Sequence, residues 1–164
     1  MHSENELGYQ TRSDGFGILY GEIAGALIER CGRNGMGIVR KAVAAYGKKK
    51  GKRLREQYMG SGVRTDLHNL MAAEDGCWKD PRTLKTTVRD TPEAQLWEIY
   101  SCPLEKNWRD RGREEAGRLY CEEYLHALMD GYGEGAGQAN VSNSKTCRRD
   151  DRCVMAMYCR TANQ

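Results

Sequence analysis

The stretch LKTTVRDTPEAQLWEIYSCP, residues 84–103, decides the fold. In its first part, Leu84, Thr86 and Val88 alternate with charged or polar neighbours, which is typical of a β-strand. Residues 90–93 have the composition of a turn, and residues 94–101 form a second strand-like run. The pair Cys102-Pro103 ends that run, because proline has no backbone N–H to donate to a neighbouring strand. The stretch therefore predicts an antiparallel β-hairpin.

The residues before the hairpin have the spacing of helices. Apolar side chains recur every three or four positions in 15–30, again in about 36–59, and in a shorter stretch from 66 to about 77. The glycines of residues 31–35 indicate a helix stop and a turn between the first two. Residues 1–14 have no such period, and we predict a flexible arm there. The sequence thus predicts three N-terminal helices.

The chain after the hairpin contains a further helix and a second hairpin. Residues 114–130 have the most regular helical pattern of the chain and are followed by glycines that close the helix. Two strand-like runs, 139–147 and 152–159, come after a glycine-rich loop. The fold class is therefore α+β, with three N-terminal helices packed on a small antiparallel sheet of two hairpins and one intervening helix. No linker interrupts residues 15–164, which we predict to be a single domain.

Composition excludes several classes of protein. The 164 residues carry 26 basic and 23 acidic side chains, with seven cysteines. No apolar run approaches the roughly 20 residues of a membrane span, and the polar start of the chain lacks an export signal. We therefore expect a cytoplasmic protein without membrane association, in which cysteines are thiols, ligands or a nucleophile. The sequence contains no P-loop, GxSxG elbow or HExxH motif, and no GxGxxG follows a strand.

Basic residues are concentrated in one segment. Six of the eight residues 48–55 are Lys or Arg, and a solvated helix face is the first interpretation of such a run. Nucleic-acid binding is disfavoured, because the interleaved aromatic residues and motifs of nucleic-acid-binding modules are absent. An interaction protein that uses this basic helix stays open as an alternative.

Two cysteines are candidate catalytic residues. Projected at about 100° per residue, Cys121 shares one face of the last helix with Tyr120 and Tyr124. A thiol there is either an inert apolar group or a nucleophile whose pKa is lowered by its surroundings. Cys102 directly follows a strand, a position where folds often place functional groups, and buried filler is an equal alternative.

The other polar and sulfur-containing residues of the second half are less specific. Cys147 and Cys153 flank the turn of the second predicted hairpin. They are metal ligands, a redox pair or two packed thiols, and the sequence leaves these alternatives open. No CxxC pair is present, so we assign no metal site, and the cofactor is unknown. The polar run 140–146, which includes Asn143, is either an exposed edge strand or the wall of a polar ligand pocket.

The order of elements resembles one known family. A hairpin that ends in YSCPL (residues 100–104), a helix that carries Cys121, and a last strand that begins with CVM at Cys153 resemble the L-2-amino-thiazoline-4-carboxylic acid hydrolase family. The three amphipathic helices before the sheet are similar too. The resemblance implies hydrolytic opening of a small cyclic isothiourea carboxylate to an N-carbamoyl amino acid.

Such a reaction needs an attacking group at an amidine-like carbon, donors for the substrate carboxylate, and an acid for the departing sulfur or nitrogen. We expect Cys121 or Cys102 to attack this small-molecule substrate, and an arginine to bind its carboxylate. Tyr124, Asn143 and Trp108 are the predicted substrate-binding residues. The alternative is a sensor module on the same scaffold, resembling vinyl-reductase-type domains, in which the cysteines bind a metal or tetrapyrrole. The oligomeric state is not determined by the sequence.

Overall fold

The computed structural model describes residues 4–133 and 152–158. Its elements in chain order are α1 (Glu4–Ser61), α2 (Leu67–Ala73), a 3₁₀ turn (Cys77–Lys79), β1 (Leu84–Asp90), β2 (Ala94–Ser101), α3 (Pro103–Asp110), α4 (Glu114–Tyr132) and β3 (Cys153–Tyr158). The helices pack on a small antiparallel sheet, which confirms the α+β class. None of these helices is long and apolar enough to cross a membrane.

Helix α1 is two helices joined at a kink. Gly32, at the kink, has φ 53° and ψ −130°, a conformation that glycine adopts readily because it lacks a Cβ. The chain then turns back so closely that a Cβ at Gly35 would clash with the backbone of Leu27. The predicted glycine stop is confirmed, and the two segments of α1 together with α2 are the three predicted N-terminal helices.

The first helix extends further toward the N-terminus than its apolar period indicates. It begins at Glu4, whereas the sequence predicted a start at residue 15. Polar contacts accompany the extra turns: the carboxylate of Asp14 accepts hydrogen bonds from Arg82 at 3.0 Å and from Asn107 at 3.0 Å. Polar contacts of this kind do not require apolar residues at every third or fourth position, so the sequence does not indicate these turns. The flexibility of residues 1–14 stays a prediction.

The three described strands form a sheet in the order β1-β2-β3, and both pairs are antiparallel. The turn of the first hairpin is closed by the backbone N–H of Thr91, which donates to the carbonyl of Ala94 at 2.8 Å. The predicted hairpin is therefore confirmed. Strand β3 corresponds to the second run of the other predicted hairpin, and the first run, 139–147, lies outside the described residues.

Helix α4 lies at the centre of the packing. Its residues Leu119 and Leu128 are fully buried, and it packs closely on the second segment of α1. The close approach depends on glycine: a Cβ at Gly47 or Gly51 would clash with the backbone of α4 near Tyr124 and Leu128. This packing fixes the side of α4 that carries Tyr124 against the basic segment of α1.

Helix α3 is an element that the sequence analysis did not predict. It begins at Pro103, where the missing N–H is no loss since the first N–H groups of a helix have no partner within it. Trp108 is 2 % exposed, and its indole Nε1 donates to the carbonyl of Gly17 in α1 at 2.8 Å. Among the described residues, two helices, α3 and α4, therefore follow β2 before β3 begins, where the sequence predicted one.

Candidate active site

A cavity of about 420 Å³ opens beside α3 and α4, with strands β2 and β3 and the 3₁₀ turn completing its walls. Most of the exposed area of its lining is apolar, and eight of its 19 lining residues are apolar or aromatic: Trp78, Ile99, Leu104, Trp108, Tyr120, Tyr124, Leu125 and Met155. Four cysteines also line it: Cys77, Cys102, Cys121 and Cys153. A concave, mostly apolar space with a few polar groups is the usual form of a small-molecule site.

The structure brings four of the five predicted site residues to this cavity. Cys102, Cys121, Trp108 and Tyr124 all line it; the first and third belong to α3 and its N-cap, and the other two belong to α4. Asn143 lies outside the described residues. The sequence therefore identified residues that share one cavity, and their individual roles stay predictions.

Cys102 lies at the N-cap of α3. The Sγ atom of Cys77 is 3.7 Å from the Sγ atom of Cys102. The side chain of Cys102 makes no hydrogen bond that caps the helix, but the backbone N–H groups of Leu104 and Glu105 interact electrostatically with its sulfur. The pKa of Cys102 is below its ordinary value, chiefly because of the hydrogen bond with Cys77 and then because of the two backbone N–H groups. Burial opposes this shift but does not cancel it. A helix N-terminus is a known environment for an ionised, reactive thiol.

The pKa of Cys77 is shifted in the opposite direction from that of Cys102. The same hydrogen bond raises the pKa of Cys77 well above its ordinary value, and burial and the charge of Cys102 raise it further. Of the two thiols, Cys102 is therefore the more acidic. The sequence analysis did not identify Cys77, because nothing local to residues 76–78 indicates a contact with a sulfur 25 positions away.

Cys121 is exposed to the cavity, yet it is a weak acid. Burial among the surrounding residues raises the pKa of Cys121 to about 12, and the charge of Cys102 adds to the effect. The thiol therefore stays protonated at neutral pH, and a protonated thiol is a poor nucleophile. Of the two predicted nucleophiles, the electrostatics favour Cys102.

Glu105 is a cavity residue that the sequence analysis missed. It lies in the first turn of α3 and lines the cavity. Burial raises the pKa of Glu105, and the neighbouring carboxylates Asp110 and Glu114 add to this, against the lowering effect of Arg109. A carboxyl group with a raised pKa beside a thiolate is suited to donate and accept a proton. A glutamate three positions after Cys102, at the start of a helix, was the available signal.

The charged part of the lining is mainly acidic. Its carboxylates belong to Glu105, Glu114, Glu115 and Glu122, and its guanidinium belongs to Arg118. Arg118 donates to Glu115 at 2.5 Å and also pairs with Glu122, so its donors already have carboxylate partners. Three of these carboxylates have arginine partners as well: Arg109 for Glu105, Arg118 for Glu115, and Arg40 and Arg118 for Glu122. The cavity therefore has only a small excess of negative charge.

Tyr124 connects the cavity to a buried ion pair. Its hydroxyl donates to Oε1 of Glu74 at 2.5 Å, and the same oxygen accepts from Nζ of Lys50 at 2.6 Å. Burial and the charge of Glu74 raise the pKa of Tyr124 far above its ordinary value. Because the hydroxyl proton of Tyr124 is already donated to Glu74, a ligand can contact only its ring and its hydroxyl oxygen. The ring stacks on that of Tyr120, with 4.9 Å between the two centroids.

The described residues, 4–133 and 152–158, contain no candidate metal site. No group of three or more His, Cys, Asp or Glu side chains in those ranges has the arrangement of a metal site.

Comparisons with known proteins agree with the resemblance noted in the sequence. Among solved structures, the chain is similar to a trafficking protein particle complex subunit 3 from Naegleria fowleri, described as covalently bound to palmitic acid, with a TM-score of 0.50 and 13 % identity over 92 % of this chain and 96 % of that chain. No curated protein matches the sequence. The family model of L-2-amino-thiazoline-4-carboxylic acid hydrolase matches residues 16–157. The chain belongs to the L-2-amino-thiazoline-4-carboxylic acid hydrolase family.

Proposed function

We propose that this protein hydrolyses a small cyclic compound with C–N and C–S bonds, of the 2-amino-thiazoline-carboxylate type, and that Cys102 is its nucleophile. Family membership supports the class of reaction. The observation that carries the assignment is the thiol of Cys102, which lines the cavity with a lowered pKa at the start of α3.

The first half of the reaction opens the ring. The thiolate of Cys102 attacks the amidine-like carbon between the ring nitrogen and the ring sulfur, and a bond from Sγ to that carbon forms. The ring C–S bond breaks, and the departing sulfur takes a proton from the carboxyl group of Glu105. The product of this step is an acyclic isothiourea bound to Cys102.

The second half releases the product. The carboxylate of Glu105 accepts a proton from a water molecule, whose oxygen attacks the same carbon. The bond from that carbon to Sγ breaks, and Cys102 leaves as a thiolate, the state in which it began. One water has been consumed, and the substrate has become an N-carbamoyl amino acid with a free thiol.

The small excess of carboxylates over guanidinium groups around the cavity supports this choice of substrate. A cyclic isothiourea is basic, and its protonated form carries the positive charge on the carbon-nitrogen group that the thiolate attacks. The carboxylate of Glu122 lies in the wall of the cavity and attracts such a cation more strongly than it would in bulk water, with part of its charge offset by Arg40 and Arg118. Protonation also makes the carbon a better electrophile.

The test is turnover of 2-amino-thiazoline-4-carboxylate by the purified full-length protein. We expect a product heavier than the substrate by one water, together with one new free thiol for each ring opened. Mass spectrometry measures the first and a thiol reagent measures the second. Absence of both, at protein concentrations high enough to detect one turnover for each molecule, would contradict the proposal.

A second candidate function is covalent carriage of an acyl chain. The cavity of about 420 Å³ with aromatic walls is larger than a single five-membered ring requires, and the similarly folded trafficking subunit is covalently bound to palmitic acid. In this role the thiolate of Cys102 attacks the carbonyl carbon of an acyl thioester, and the free thiol of the donor leaves. A stable adduct on Cys102 after incubation with palmitoyl-coenzyme A, without ring opening in the turnover assay, would favour this function.

A further inference from the structure

We propose that Cys77 and Cys102 form a redox-active dithiol, which reacts with a low-molecular-weight disulfide and closes a Cys77–Cys102 disulfide in the wall of the cavity. The reacting groups are the thiols of Cys77 and Cys102. It extends the chemistry of the cavity to thiol–disulfide exchange, and its first readout does not depend on hydrolysis.

The geometry places the two sulfurs within reach of a bond. Their Sγ atoms are 3.7 Å apart, and a disulfide requires about 2.0 Å, a difference that small rotations of the two side chains can close. Each cysteine is held by ordered backbone. Cys102 caps α3, and the carbonyl of Cys77 accepts hydrogen bonds from the N–H of Asp80 at 3.1 Å and the hydroxyl of Thr83 at 2.5 Å.

The two thiols have the complementary properties that exchange needs. In the first step the thiolate of Cys102 attacks one sulfur of the small disulfide, a Cys102 mixed disulfide forms, and one small thiolate leaves and takes a proton from water. In the second step Cys77 loses its proton to water and attacks Sγ of Cys102, and the second small thiolate leaves and is protonated. Two protein thiols are oxidised, and one small disulfide is reduced to two thiols.

The first step itself prepares Cys77 for the second. The hydrogen bond with Cys102 and the charge of Cys102 are among the causes that raise the pKa of Cys77. Once Cys102 is in a mixed disulfide it is neutral, so both causes disappear and the pKa of Cys77 falls. The ammonium group of Lys85 interacts electrostatically with Cys77 and favours the thiolate in the same way.

The test is oxidation of the reduced full-length protein with oxidised glutathione, followed by acid quenching, blocking of free thiols, and mass spectrometry of the intact protein and its peptides. We expect a crosslinked peptide pair that contains Cys77 and Cys102, lighter by two hydrogen masses than the two reduced peptides together, with no glutathione on either cysteine. Cys77→Ser, which keeps nearly the same shape, is expected to stop at one glutathione on Cys102. Cys121→Ser is the matched control from the same cavity and is expected to behave like the unaltered protein.

Three results would overturn the proposal: accumulation of glutathione on Cys102 in the unaltered protein, a crosslink from Cys102 to a different cysteine, or no reaction of Cys102. A further consequence rests on the proposed function. The oxidised protein has no free thiol at Cys102. We therefore expect its rate of substrate hydrolysis to fall below a hundredth of the rate of the reduced protein, and to recover when dithiothreitol is added. If the crosslink forms and hydrolysis persists, the dithiol stands and Cys102 is not the nucleophile of hydrolysis.

Discussion

Replacement of Cys102 with alanine is expected to lower turnover of 2-amino-thiazoline-4-carboxylate by at least about a thousandfold, because loss of a nucleophile removes the covalent route. Cys121→Ala is expected to change turnover by less than about tenfold. The physical reason for the difference is ionisation. The N–H groups of α3 and the thiol of Cys77 lower the pKa of Cys102, whereas burial raises that of Cys121 to about 12.

Steady-state kinetics of the two variants, with circular dichroism to compare their folds, measure this difference. The two residues line the same cavity, so each variant is the control for the other in size and location. Retention of more than a tenth of the turnover in Cys102→Ala would contradict the assignment. Loss of turnover in Cys121→Ala alone, with an intact fold, would transfer the role to Cys121.

Replacement of Lys50 with methionine is expected to lower the free energy of unfolding by about 3–5 kcal/mol, the usual cost of removing one partner of a buried ion pair. The side chain of Glu74 is 1 % exposed, and Lys50 lies 2.6 Å from it. Burial lowers the pKa of Lys50, but the charge of Glu74 and hydrogen bonds to Asp75 and Glu74 outweigh it and raise the pKa overall. Lys50 is therefore the charged partner on which the buried carboxylate depends.

Urea unfolding at neutral pH measures the effect, and Lys49→Met is the matched control, because Lys49 is the exposed neighbour. We expect that control to change stability by less than about 0.5 kcal/mol. The double variant Lys50→Met, Glu74→Gln is expected to recover part of the loss, since it no longer buries an unpaired charge. Equal effects of Lys50→Met and Lys49→Met would contradict the role of the buried pair.

The sequence predicted the parts of the fold that local periodicity specifies. Helix α4 has regular spacing over its full length, and the alternation in β1 together with the turn at 90–93 was enough to identify the hairpin. The alternation did not predict burial, because every residue of β1 is exposed. Helix α3 has eight residues, too few to establish a period, and its Trp108 is anchored to Gly17, 91 positions away. Long-range contacts of that kind leave no local pattern in a sequence.

The candidate site also has features that the sequence predicted and features that only long-range contacts determine. Cys102 and Cys121 were identified from their positions at a strand end and on a helix face. Which of them ionises depends on Cys77 and on the start of α3, neither of which local spacing indicates. Lys50 looked like one member of a solvated basic face, and only the packing of α1 shows that it turns inward to Glu74.

The central claim is that Cys102 is a more acidic thiol than Cys121 and than an ordinary free cysteine, and the pH dependence of its alkylation tests this most directly. Peptide mass spectrometry after short treatment with iodoacetamide gives the rate at each cysteine separately. We predict that alkylation of Cys102 has a midpoint below about 8.5, the ordinary pKa of a free thiol, and that Cys121 reacts fully only near pH 12. A midpoint for Cys102 at or above that of a free thiol would contradict the account.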